Sequence, residues 1–131
     1  MSNSANVPTE DQEQKFLFNW IAYAAAGIHK GLRWCVHIVN EGKRSVKNGA
    51  KLKSMGMRAG FPDIFVPIPT KEYHGLFIEL KRTKGGRVSP EQKAWIEYLN
   101  SAGYYATVCY GWEDAKSAIC KYLHVKDTWS F

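Results

Sequence analysis

The segment Gly75-Leu-Phe-Ile-Glu-Leu-Lys81 constrains the fold more than any other stretch of the chain. It reads as an apolar strand, yet Glu79 and Lys81 interrupt it where packing alone prefers Val or Ile. Strand side chains alternate, so Glu79 and Lys81 share one face while Ile78 and Leu80 point to the other. A preceding strand, Asp63 to Ile68, opens directly after Pro62. The connection 69–74 reads as a hairpin, which brings Asp63 next to Glu79. Two carboxylates beside a lysine, in a basic surrounding, resemble a hard-cation site, because carboxylate oxygens suit Mg²⁺ or Mn²⁺. The bland alternative is a solvated charge pair on an exposed face, since Pro-Asp and Glu-x-Lys are each common by chance.

The other elements surround this hairpin. Thr9-Glu-Asp-Gln12 is a capping-box start with acids in the first turn. The stripe Leu17, Trp20, Ile21, Ala24, Ile28 carries that helix on, and traced backwards it meets Gln14 and Glu10. Arg33 to Val39 reads as a buried strand, and Val46 to Met55 as a short basic helix closed by Gly56. Ser89-Pro-Glu-Gln92 opens another helix, with Ser as N-cap, Pro at the first helical position and Gln three residues after the cap. Tyr104 to Tyr110 is a strand and Trp112 to Tyr122 a last helix. The order predicts one α/β domain over 9–131, a mixed sheet of about four strands flanked by helices, behind a loose polar tail at 1–8.

Charge adds a partner. Of the net +6, the stretch Lys30 to Arg58 holds eight basic residues and one acid, and Lys81 to Lys93 holds five against one. Positive charge gathered into two blocks fits a polyanion, most simply nucleic acid. The longest apolar run, Trp20 to Ile28, is nine residues, against about 20 for a membrane helix. No secretory leader is legible in the first residues, and the three cysteines form no C-x-x-C pair. A disulfide scaffold or thiolate zinc site is therefore not expected, and a cytoplasmic protein of a bacterial or phage-infected cell is.

Pro62-Asp63 with Glu79-Leu80-Lys81 matches the PD-(D/E)xK nuclease signature. With Glu10–Gln14, Asn40–Arg44, Leu52–Asp63, Gly75–Arg82, Ser89–Gln92 and Cys109–Trp112, the chain resembles the VRR-NUC family, in particular its small stand-alone bacteriophage and prophage members. The resemblance implies a restriction-endonuclease-like PD-(D/E)xK core and metal-dependent hydrolysis of DNA. Asp63, Glu79 and the carbonyl of Leu80 would hold Mg²⁺ or Mn²⁺, with Glu10, preferred to Glu13, adding a ligand from the first helix. Lys81 would orient or activate the water and Gln92 would position the site. Gly60 would let the backbone approach the ion or the phosphate. Lys43, Arg44, Arg82, Lys84 and Arg87 would grip flanking phosphates. A homodimer that cuts branched DNA, in the manner of a Holliday-junction resolvase, is the favoured form. A nicking or flap-type phage nuclease, or a catalytically inactive DNA-binding module, are the alternatives.

Overall fold

The structure, a computed structural model, describes residues 6–39 and 46–127. Its elements are α1 (Glu10–Gly27), a short 3-10 helix (Lys30–Trp34), β1 (Val36–His37), α2 (Val46–Ser54), β2 (Ile64–Val66), β3 (Leu76–Lys81), α3 (Pro90–Ser101), β4 (Tyr105–Tyr110) and α4 (Trp112–Leu123). The strands form one mixed sheet in the order β1-β2-β3-β4. β1–β2 and β2–β3 pair antiparallel, and β3–β4 pair parallel with α3 as the crossover between them.

Local chemistry starts the helices. Both sequence-read capping boxes close: Thr9 with Gln12 at α1, and Ser89 with Gln92 at α3. Each satisfies two backbone donors that a helix start otherwise leaves to water.

Every side chain of β3 is buried. Leu76, Ile78 and Leu80 face the larger core, built with Leu17, Trp20 and Ile21 of α1 and Ala115 and Ile119 of α4. Phe77 faces the other way, onto Leu99 and Ala106 beneath α3. By alternation Glu79 and Lys81 share the α3 side with Phe77, so the charged pair sits inside the layer between sheet and helix.

Two details depart from expectation. The strand read over Arg33–Val39 is only Val36–His37, both exposed, with the 3-10 helix before it. It lies at the sheet margin and pairs only with β2, while Cys35 before it and Ile38 after it pack against the two cores. The helical stripe, traced back from Leu17, ends on buried Glu13 and not on Glu10, which is half-buried.

At the opposite margin, the Asn100 side chain accepts from Ala106 N at 2.9 Å and donates to Ala106 O at 3.0 Å. The amide thus occupies both edge-facing backbone groups of one β4 residue. Tyr110 N donates to Asp114 Oδ2 at 2.9 Å at the end of the same strand.

Candidate active site

Asp63 stands one residue before β2. Its carbonyl accepts from Ile38 N at 2.6 Å and lies 3.0 Å from His37 Nδ1, which fixes the residue against β1. Ile64 pairs with Ile78, so continuing the register by one step sets Asp63 opposite Glu79. Its side chain then substitutes for the missing ladder bond: Asp63 Oδ2 accepts from Leu80 N at 2.9 Å. Glu79 Oε2 takes Gln92 Nε2 at 3.0 Å and lies 3.4 Å from Lys81 Nζ.

Exposure settles which account of these charges holds. Asp63 is 4% exposed, Glu79 1% and Lys81 6%, so the solvated surface pair is excluded. Taking two carboxylates and an ammonium out of water costs several kcal/mol per ion before their contacts offset it. Packing does not call for such a set. Hard oxygen donors on neighbouring strands, with a fixed cation beside them, do suit a divalent ion and a phosphate. Among the described residues no group of three or more His, Cys, Asp or Glu side chains comes together at metal-holding spacing. The carboxylates gathered here are thus Asp63 and Glu79.

The flanking residues divide. Gln92 serves two purposes with different atoms: Oε1 accepts from Ser89 N at 2.9 Å to close the cap, and Nε2 reaches Glu79. Glu13, 2% exposed, accepts from Trp112 N at 2.9 Å through Oε1. The N-cap residue of α4, Gly111, has no side chain to do this, so Glu13 caps α4 from another helix. Sequence reasoning missed that role. A buried acid continuing an apolar stripe was the available signal. Gly60 has φ +85°, and a Cβ there would lie 2.6 Å from the backbone carbon of Glu91. Its closeness is to the first turn of α3, which by itself requires a residue without a side chain.

Of the expected phosphate contacts, Lys84 and Arg87 are exposed on the loop after β3. Arg82 is half-buried and its Nη2 donates to Val7 O at 3.1 Å, tying down the end of the N-terminal stretch. Lys43 and Arg44 lie outside the described residues. The cysteines are free. Burial pushes the thiols of Cys35 and Cys109 up to about 12, which keeps them protonated and poor nucleophiles.

Comparison with known proteins identifies the domain. The family model of the VRR-NUC domain matches residues 10–113, a span that holds Glu10, Asp63, Glu79, Lys81 and Gln92. A solved structure titled "VRR_NUC domain protein" is similar at TM-score 0.76 and 32% identity, over 92% of each chain. No curated protein matches. Fold and family together define a nuclease-type α/β domain acting on DNA. More particularly, the chain belongs to the VRR-NUC domain family. No helix among the described residues is long and apolar enough to cross a membrane.

Proposed function

We propose that this chain is a PD-(D/E)xK endonuclease that hydrolyses DNA phosphodiesters with a bound Mg²⁺ or Mn²⁺. The observation that carries the proposal is the burial of Asp63, Glu79 and Lys81 together at the end of β2 and along β3. Asp63, Glu79 and the Leu80 carbonyl are the groups to hold the ion. Such an ion polarises the phosphate and lowers the pKa of a bound water. Lys81 contributes an ammonium that orients the water and offsets charge gathering on the phosphate oxygens. Gln92 holds Glu79 Oε2 in place, so the carboxylate need not reorganise. The water oxygen forms a new bond to phosphorus as one backbone P–O bond breaks, and the departing oxygen ends protonated.

We further propose that the enzyme selects branched DNA as a homodimer. A domain of 131 residues carries one such site, and a four-way junction presents two scissile strands related by a two-fold axis. Trp34 (65% exposed) and Val39 (70%) flank the marginal strand β1 and supply apolar surface for a second copy. Incubation with duplex, flap, splayed and four-way DNA in Mg²⁺, Mn²⁺ or EDTA tests the activity, and light scattering tests the mass. Metal-dependent, paired cuts at junctions are expected. Cutting in EDTA overturns the metal proposal. A monomer mass with junction DNA bound replaces the resolvase-like reading by the nicking or flap one.

A further inference from the structure

A shallow apolar groove of about 520 Å³ lies between α3 and the loop before Asp63, lined by Ala59, Glu91, Ala94, Trp95 and Tyr98. This volume falls within the roughly 300–1,000 Å³ of ligand-holding clefts. Both walls lead into the active site. The loop at Ala59 runs through Gly60, Phe61 and Pro62 to Asp63, and Trp95 stands one helical turn after Gln92. Trp95 is fixed by Nε1, which donates to Ala59 O at 3.1 Å, and by edge contact with Phe61 at 4.8 Å. Tyr98 is 60% exposed. The Trp95 and Tyr98 rings meet at 83°, with centroids 6.2 Å apart.

We infer that this groove takes an unpaired nucleobase of the DNA strand bound at the active site. The inference rests on the nuclease reading above and deepens it by naming what selects the substrate. Two rings at a near right angle make a corner in which a flat heterocycle lies on one face and abuts the edge of the other. Stacking of this kind tolerates any base. The setting suits the attached phosphates: Arg58 adjoins Ala59, Lys93 adjoins Ala94, and Lys51 and Lys53 of α2 precede the loop, all four exposed. Glu91 is the one acid of the lining, placed to accept from an exocyclic amino group. In intact duplex the faces of the bases are hidden, so the groove favours splayed or branched DNA over linear duplex.

Binding in EDTA, where the proposed cleavage does not intervene, isolates the groove. The probes are a splayed oligonucleotide, with 2-aminopurine beside the branch, and a fully paired duplex of the same length. The Tyr98 ring is mostly exposed, so Tyr98→Ala spares the core. It is expected to weaken splayed DNA about tenfold and to lose the quenching of 2-aminopurine, with duplex affinity unchanged; Tyr98→Phe keeps both. Equal losses on both DNAs, or no loss on either, overturn the groove as a base site. A drop in particle mass on Tyr98→Ala overturns it in favour of a second copy of the chain. If the unaltered protein binds neither DNA, the nuclease reading falls with it.

Discussion

One amide joins the start of α3 to the acidic centre: Gln92 accepts from Ser89 N through Oε1 and donates to Glu79 through Nε2. Helix capping and carboxylate positioning are thus the same side chain, and substitutions separate them. Gln92→Glu keeps an acceptor for Ser89 N but sets a second carboxylate against Glu79 Oε2. The expected outcome is a cap retained and cleavage reduced about 10- to 100-fold. Gln92→Ala loses both bonds and about 1 kcal/mol of stability as well. Urea unfolding beside a cleavage assay distinguishes the two patterns.

Asp63→Asn, Glu79→Gln and Lys81→Ala are each expected to abolish cleavage, by a factor of about 10³ or more, while the fold persists. The Asp63→Asn change keeps an oxygen that can accept from Leu80 N, so the β2–β3 junction is retained in that variant. Circular dichroism checks the fold and a gel assay the activity. Substantial Mg²⁺-dependent cutting by Lys81→Ala would remove that lysine from its assigned role.

Glu13→Ala tests a purely architectural claim. It strips the Trp112 N–H of its partner and removes a negative charge from the start of α4, and so should cost about 1–3 kcal/mol. Glu13→Gln, which keeps an acceptor, should cost less. Denaturant midpoints measure both. If Glu13 holds the ion instead of Glu10, its loss will eliminate cutting in protein that remains fully folded at the assay temperature.

The buried thiols give a pH dependence. Burial, aided at Cys109 by the Asp114 carboxylate, raises Cys35 and Cys109 from 9.0 to about 12. In the unfolded chain both ionise at their ordinary value. The stability they contribute is complete below pH 9 and is lost as pH rises from there towards 12. Unfolding midpoints should fall across that window. At pH 8 the native protein should resist a thiol reagent that labels all three cysteines once it is unfolded.

Binding should weaken steeply with salt, by a log–log slope of about −0.9 per phosphate contact. Neutralising Lys84 and Arg87 should flatten the slope and weaken all sequences alike, and so should neutralising Lys43 and Arg44. Titrations by fluorescence anisotropy at several salt concentrations measure this. A salt-independent affinity would assign the basic blocks to solvent.

What could be read from the sequence was what short range decides. The caps at Thr9 and Ser89 are complete within four residues, and alternation along β3 placed Glu79 and Lys81 on one face. The features that escaped depend on distant partners. Glu13 meets Trp112 across 99 residues of chain, and Gly60 owes its lack of a side chain to a helix about 30 residues on. β1 pairs with β2 over Val36 and His37 alone, an extent set by the partner strand and not legible in Arg33–Val39.

The Asn100 amide on Ala106 has a consequence for how this protein behaves in crowded solution. A strand arriving beside β4 finds that residue's donor and acceptor already taken, and Tyr110 N held by Asp114. Recruitment of a further strand, the first step of fibre growth, is thereby opposed at these two positions. At the other margin β1 spans two residues, a brief template for pairing.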